Sequence, residues 1–98
     1  MNKIVAVLLS TYNGQIFLKD QINSILVQQD VLVKLLIRDD SSTDNTLNIL
    51  KDFSGNYTNV HYYVGDNVGA AKSFLNLSNN APEVFCDQDD ILGASDII

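Results

Sequence analysis

The sequence predicts an α/β domain built on a parallel sheet of about four strands with flanking helices. Two observations carry this prediction. Short apolar runs alternate with longer segments whose apolar residues recur at helical spacing. Each short run is also followed by polar, turn-forming residues, as at the carboxyl end of a buried parallel strand. The 98 residues suffice for one domain, and we assign residues 1–98 to it.

The first half of the chain is predicted to form strand, helix, strand and helix. Residues 4–9 are a continuous apolar run, typical of a strand buried on both faces. A first helix, continuing to about residue 29, is predicted from the spacing of Ile16, Phe17, Ile22, Ile25 and Leu26. Residues 35–37 predict a second strand. Serine hydroxyls from Ser41 onward suit the cap of a second helix and Asp44 suits its first turn; the helix should stop at 54–56.

The second half continues this alternation. Residues 60–64 are β-prone, and a third helical face follows at Val68, Ala71, Phe74 and Leu75. We expect Pro82 to end that helix, residues 84–86 to form a fourth strand, and residues 92–98 to form no element. Such a Rossmann-like arrangement binds ligands beyond the carboxyl ends of its strands.

The composition excludes several classes of partner and location. A net charge of −6, with only six scattered basic residues, argues against nucleic-acid binding. The single cysteine, Cys86, cannot form an intramolecular disulfide, which favours a reducing compartment. The amino-terminal apolar run is too short to span a bilayer. We therefore expect no transmembrane segment in this chain and a cytoplasmic location, with peripheral attachment at the inner face of a membrane as a variant.

Aspartates are concentrated after the predicted strands. Seven of the eleven fall there: Asp39, Asp40, Asp44, Asp66, Asp87, Asp89 and Asp90. In the run 87–90, three carboxylates within four residues repel one another, which predicts a bound cation, Mg²⁺ or Mn²⁺. Such a cation can hold a diphosphate at an acidic edge. No glycine-rich phosphate loop follows the first strand.

Four segments in order carry a resemblance to a known family. They are VLLSTYNG after the first strand, RDDSSTDNT after the second, NVG opening the third helix, and FCDQDDI after the fourth. With them the chain resembles the GT-A-fold glycosyltransferases of family 2 and, within that family, is similar to rhamnosyltransferases. The resemblance implies a partial GT-A fold and transfer of a hexosyl or deoxyhexosyl group from a nucleotide-diphospho-sugar donor to a glycan or lipid-linked acceptor, with inversion.

The resemblance also implies roles for individual residues. Thr11, Tyr12 and Asn13 would form the floor of a nucleotide pocket, and Asp39 would hydrogen-bond the base. Asn67, Gly69 and Lys72 would border that pocket. In the DxD pattern Asp87 would lie toward the ribose and Asp89 on the metal, with Asp90 as a second ligand.

The chain departs from the family in length. The family's catalytic base would lie beyond residue 98, so the resemblance implies an amino-terminal, nucleotide-sugar-binding part of a longer domain that does not turn over alone. The unfinished sheet would favour self-association.

Two other readings remain open at this stage. One is a non-catalytic nucleotide- or metal-binding module from a truncated gene. The other is a receiver-like signalling domain, which is less favoured because STYN, rather than an acidic pair, follows the first strand. Capping and turn formation would also explain Asp40 and Asp44.

Overall fold

The chain forms a parallel sheet with helices on both faces. The structure, a computed structural model, describes residues 3–27, 31–84, 90–91 and 96–97. Its elements are β1 (Lys3–Thr11), α1 (Leu18–Leu26), β2 (Val31–Asp39), α2 (Thr46–Asn56), β3 (Val60–Val64), α3 (Ala70–Val84), β4 (Asp90–Ile91) and β5 (Asp96–Ile97). The predicted α/β class is confirmed.

The sheet brings the ends of its first three strands together. The strand order is β3-β2-β1-β4, β5 also pairs with β1, and every pairing is parallel. In register, Thr11 pairs with Asp39, and Asp39 pairs with Val64. The loops that follow β1, β2 and β3 therefore meet at one edge of the sheet.

Side-chain alternation divides β1 and β2 between two cores. Odd-numbered residues such as Leu9, Leu35 and Ile37 pack with buried side chains of α1 and α2. Even-numbered residues such as Leu8 and Leu36 pack with Leu77 and Phe74 of α3. Because successive strand residues point to opposite faces, neighbouring residues at the strand ends serve different sides of the sheet.

The two loop-to-helix transitions differ from their predictions. Ile16 and Phe17 precede α1 and are 76% and 66% exposed, whereas Leu18 is fully buried. The Gly14 carbonyl accepts the N–H groups of Phe17 and Leu18, and this turn moves the helix start to Leu18. Predicting a helix that includes Ile16 and Phe17 was therefore wrong.

The serine hydroxyls do not cap α2. Ser41 Oγ donates to the Gly65 carbonyl instead, at 2.6 Å. Asp44 lies just before the helix, and its Oδ1 accepts the N–H of Thr46 at 2.9 Å. The carboxylate therefore satisfies a free amide of the first turn, as an N-cap does.

The end of α3 is also later than expected. The helix passes Pro82 and ends at Val84, so the predicted stop and a strand beginning at Val84 are wrong. A proline removes one main-chain hydrogen bond, and only the helix's last two residues follow it. Residues 85–86 lie outside the described residues. Asp96 and Ile97, for which no element was predicted, form a strand by pairing with Leu9 and Ser10.

The helices that the structure describes include none with the length and apolar character needed to cross a bilayer.

Candidate functional site

A cavity of about 310 Å³ lies at the carboxyl end of β1. Its volume is at the lower end of the roughly 300–1,000 Å³ typical of small-molecule sites. Three buried polar residues and four more exposed residues line it: Ser10, Thr11 and Asp40, and Tyr12, Asn67, Gly69 and Ala70. A cavity with a buried polar side and an open side is suited to an organic ligand with hydrogen-bonding groups.

A larger cavity, of about 400 Å³, lies between α1 and α2. Its lining includes Lys19, Asn23, Asp52 and Asn56, all exposed. It is remote from the carboxyl ends of the strands, where ligands bind in open parallel sheets. We therefore take the smaller cavity as the candidate site.

Thr11 holds an unsatisfied polar atom beside the cavity. The residue is 1% exposed, and its Oγ1 is the one buried side-chain polar atom among the described residues that has no hydrogen-bond partner. Such an atom costs about 1–3 kcal/mol when it stays unpaired. Because Thr11 pairs in register with Asp39, its side chain lies on the α1 and α2 face of the sheet, opposite the side chains of Ser10 and Asp40.

Asp40 places a carboxylate at the cavity. Its Oδ1 accepts a hydrogen bond from Arg38 Nη1 at 2.7 Å and from the Val68 amide at 3.0 Å, and its Oδ2 accepts one from the Gly69 amide at 3.0 Å. Burial alone would raise the pKa of Asp40, but the Arg38 contact and the two amides outweigh it and hold that pKa below 3.8. Asp40 is therefore ionised at neutral pH.

Arg38 connects four parts of the chain beneath this carboxylate. Its Nη1 also donates to Ser73 Oγ in α3 at 2.8 Å, and its Nη2 donates to the Asp66 carbonyl at 3.0 Å. The Ser73 hydroxyl contacts the Ser10 hydroxyl of β1 at 2.6 Å. The Arg38 and Asp40 side chains are 4% and 3% exposed, so this is a buried polar network.

Asn67 and Gly69 form the wall of the cavity before α3. Asn67 Nδ2 donates to the Asp40 carbonyl at 3.1 Å. Gly69 has a φ of +90°, which side-chain-bearing residues rarely adopt, and its carbonyl accepts the Ser73 amide at 2.8 Å. The wall is thus fixed to the end of β2 and to the first turn of α3.

Asn13 acts on the loop after β2 and does not line the cavity. Its Oδ1 accepts the amides of Thr43 at 2.8 Å and of Asp44 at 3.3 Å, while its own amide donates to Ser42 Oγ at 2.8 Å. Its φ of +48° is one that asparagine tolerates better than most residues. Asn13 therefore joins the loops after β1 and β2.

Asp39 faces the opposite side of the sheet from Asp40. Its Oδ2 accepts the Ser42 amide at 2.9 Å, its Oδ1 accepts the Ser42 hydroxyl, and the residue is 1% exposed. Asp39 is not among the residues that line the cavity. Its carboxylate is used to fold the loop after β2.

Asp44 completes the junction of these two loops. Its Oδ1 accepts the Thr46 hydroxyl as well as the Thr46 amide, and its Oδ2 accepts the Gln15 amide at 3.3 Å. Burial would raise the pKa of Asp44, but these hydrogen bonds prevail and lower it.

The structure therefore gathers four of the sequence-predicted site residues around one cavity, namely Thr11, Tyr12, Asn67 and Gly69. Tyr12 is 45% exposed there, which leaves part of its ring available for contact. Asn13 and Asp39 lie beside the cavity in the supporting loops. Lys72 is exposed on α3 and does not line the cavity.

The predicted metal ligands lie partly outside the residues that the structure describes. Asp87 and Asp89 are outside them, and the described residues contain no group of three side chains that could hold a metal ion. The main chain of Asp90 pairs with Val5, well before Thr11 along β1, so this residue is not at the carboxyl edge where the sequence predicted it. Carboxylates suit Mg²⁺ or Mn²⁺ chemically, but the described residues do not assemble a site.

Sequence reasoning missed Arg38, Ser10 and Ser73, and it left Asp40 open between a turn role and a functional role at the acidic edge. One signal was available. Residues 38 and 40 are two apart at the end of a strand, so their side chains share a face, and Asp39 must face the other way. The contact with Ser73 depends on the packing of α3 and has no local sequence signal.

Comparison with known proteins identifies relatives of this chain. Residues 6–93 match the glycosyl transferase family 2. A dTDP-rhamnosyl transferase of Shigella flexneri, RfbG, is 40% identical over 92 residues, which cover 85% of this chain and 32% of RfbG. TuaG of Bacillus subtilis, whose name makes it a candidate glycosyltransferase of teichuronic acid biosynthesis, is 31% identical over 89% of this chain and 36% of TuaG.

An uncharacterized glycosyltransferase of Mycoplasma genitalium is 32% identical over 62 residues, or 61% of this chain and 21% of that protein. The chain thus spans about a third of the length of the first two relatives. The family match extends over most of the chain and agrees with the 40% identity to RfbG. The chain belongs to glycosyltransferase family 2.

Proposed function

We propose that this chain binds the nucleotide part of a sugar donor for a family 2 glycosyltransferase. The transfer would move a hexosyl or deoxyhexosyl group from a nucleoside-diphosphate sugar to a glycan or lipid-linked acceptor, with inversion at the anomeric carbon. The observation that carries the proposal is the cavity at the end of β1, where the buried residues Ser10 and Asp40 lie beside the partly exposed Tyr12. It lies where open parallel sheets bind ligands.

The residues of the cavity suggest how a nucleoside would be held. Ser10 and the ionised Asp40 place polar side chains on the buried side of the cavity. The Tyr12 ring offers an aromatic surface on which a base can stack. We propose a dTDP-linked deoxyhexose as the first donor to test, because the name of the Shigella relative specifies dTDP and rhamnose.

We also propose that Mg²⁺ or Mn²⁺ binds with the diphosphate near Asp87 and Asp89. This rests on the sequence pattern alone. When bound, such a cation would neutralise charge on the departing nucleoside diphosphate. We propose that the catalytic base is not among residues 1–98. The acceptor would be a separate molecule, as would a second copy of the chain if it self-associates. We propose that the enzyme is cytoplasmic and that it associates peripherally with the inner face of the membrane.

The test is calorimetric titration of the chain with dTDP, UDP and GDP, each with and without Mn²⁺. We expect one nucleotide to bind in preference to the others, and we expect Mn²⁺ to tighten binding in a manner that Asp89→Ala abolishes. A folded chain that binds none of the three would contradict the proposal. Binding of the nucleotide that ignores both Mn²⁺ and Asp89→Ala would remove the metal from it.

Two neighbouring alanines provide a matched test of the cavity. Ala70 lines it, whereas Ala71 is exposed on the same helix and does not. Ala70→Leu should fill the cavity and weaken nucleotide binding at least tenfold, and Ala71→Leu should leave the affinity unchanged. Equal affinities of the two variants would place the nucleotide elsewhere.

A further inference from the structure

Arg38 is a buried cation whose Nη1 and Nη2 atoms donate to the segments that build the cavity. The residue is 3% exposed, and its guanidinium binds the Asp40 carboxylate, the Ser73 hydroxyl and the Asp66 carbonyl. The site as described above places Asp40 on the cavity, but it gives Arg38 no contact with a ligand. A buried charge so close to the site needs an explanation.

The contacts of Arg38 fix both sides of the cavity. Asp40 belongs to the β2 side, and its carboxylate in turn accepts the amides of Val68 and Gly69 on the opposite wall. Asp66, whose carbonyl Arg38 also holds, begins that wall. One guanidinium therefore sets the distance between Asp40 and the segment 66–69.

Ser73 extends this connection to β1. It accepts a hydrogen bond from Arg38 and contacts Ser10, which itself lines the cavity. The planar guanidinium presents its donors to these acceptors in fixed directions, which the compact ammonium of lysine on its flexible stem does not reproduce.

Stability alone is a poor reason for this network. Buried ion pairs gain little over well-packed apolar residues, because both charges must leave water. A geometric role at the adjacent cavity accounts for the cost, since the wall 66–69 otherwise consists of exposed residues with few buried contacts.

We propose that Arg38 is a positioning residue for nucleotide binding, which holds Asp40 and the wall 66–69 at the separation that the ligand requires. The proposal rests on the proposed nucleotide site. It does not require Arg38 to touch the ligand.

The experiment compares Arg38→Lys and Arg38→Met with the parent chain in two measurements. The first is the calorimetric Kd for the nucleotide that the parent binds. The second is the set of amide NMR signals of Val68 and Gly69, together with the pH titration of the Asp40 carboxyl carbon. We expect each variant to bind at least tenfold more weakly, to shift both amide signals, and to titrate Asp40 at higher pH.

Two control variants separate positioning from charge and from general destabilisation. Lys51→Met removes an exposed cation from α2, and Leu50→Ala opens a cavity in the core on the other face of the sheet. Both should keep the parent Kd and the Val68 and Gly69 signals. If Arg38→Met does not fold, Arg38→Lys, which keeps the charge, decides the question.

The outcomes distinguish this inference from the proposed function. If the parent binds a nucleotide and folded Arg38→Lys binds it equally well, Arg38 is not a positioning residue. If the parent binds no nucleotide, the proposed function fails, and the NMR signals then test Arg38 alone. Unchanged Val68 and Gly69 amide signals in Arg38→Lys would show that Arg38 does not position the wall 66–69. Shifted amide signals would show that it does.

Discussion

At the scale of single residues, the buried guanidinium of Arg38 occupies space that is free only because residue 65 is glycine. A Cβ atom added to Gly65 would lie 2.1 Å from Arg38 Nη2 and 2.5 Å from its Cζ, both far inside van der Waals contact. A free arginine could move away. This one is held by Asp40, Ser73 and Asp66, so relief of the clash breaks hydrogen bonds.

Gly65→Ala should therefore lower the free energy of unfolding by about 1–3 kcal/mol, the usual cost of overpacking. Urea denaturation followed by circular dichroism measures it. Gly55→Ala is the matched control, because an added Cβ at Gly55 meets no atom within 4 Å and the residue lies in α2. It should stabilise the chain by about 0.4–1 kcal/mol. Loss of stability in both variants alike would contradict the role assigned to Arg38.

The carboxylate of Asp40 gives the fold a dependence on acid. Its folded-state pKa is lowered, so the native chain holds its proton less tightly than the unfolded chain does, and the resulting stabilisation is present at pH values above 3.8. It is lost as the pH falls below that value through the folded pKa. Asp44 contributes with the same sign.

We expect urea midpoints to fall between pH 5 and pH 2, and to fall less steeply for Asp40→Asn, which has no carboxyl group to protonate. The variant should already be less stable at pH 7, because Arg38 then lacks a buried counter-charge. Asp20→Asn, on the exposed part of α1, should follow the parent profile. A parallel profile for Asp40→Asn would show that the acid dependence has another origin.

At the scale of elements, the loops after β1 and β2 are joined by side chains rather than by main-chain pairing alone. Asn13 accepts two amides of the second loop, and the Gly14 amide donates to Thr46 Oγ1 at 3.0 Å at the start of α2. The start of α2 and the turn before α1 are thus fixed together, beneath the exposed Tyr12.

Asn13→Ala should lower the free energy of unfolding by about 2 kcal/mol. It removes the side-chain acceptor, and alanine tolerates a positive φ less well than asparagine because it has no side-chain hydrogen bonds to the local backbone. Asn13→Asp keeps both the acceptor and tolerance of that backbone, so it should cost much less. Thermal and urea unfolding compare the two. Equal losses would mean that the side-chain oxygen does not join the loops.

The sequence allowed some of these elements to be predicted and not others. The apolar runs of β1 and β2 were found because burial on both faces leaves a continuous pattern, although the strands extend further than the runs, to Thr11 and Asp39. The start of α1 was misplaced because Ile16 and Phe17 have the right spacing but lie in a turn. The extent of α3 past Pro82 and the pairing of β5 with β1 depend on contacts that are remote in sequence.

At the scale of the whole molecule, the position of the site followed from topology. Parallel strands had to bring STYN, DDSS and NVG to one edge, and four of the predicted residues line the cavity there. The motif alone did not predict whether Asp39 or Asp40 faces the cavity, because the two aspartates are adjacent and either could lie on that side of the sheet. The strand register and the partners of each side chain separate them: Ser42 for Asp39, and Arg38 with the wall 66–69 for Asp40.

At the scale of the whole molecule, stability and ligand binding should separate at Thr11, whose side chain lies on the face of the sheet opposite the cavity side chains Ser10 and Asp40. Thr11→Val keeps the shape of the side chain and removes the unpaired buried hydroxyl, so the free chain should become more stable by about 1 kcal/mol. The additional stability conferred by the nucleotide should stay unchanged, because the removed hydroxyl does not face the ligand. Ligand at 100 times its Kd should add about 2.7 kcal/mol to the parent and to the variant alike.

Urea unfolding of both chains with and without nucleotide measures the two effects in one experiment. Thr46→Val is the control, because Thr46 is equally buried but its hydroxyl is paired with Asp44 and Gly14. It should destabilise the free chain and leave the stabilisation by nucleotide unchanged, since it does not line the cavity. If Thr11→Val loses stability without ligand, its hydroxyl is paired in the free chain. If Thr11→Val loses part of the stabilisation by nucleotide, the ligand does use that hydroxyl, which would contradict the face assigned to Thr11.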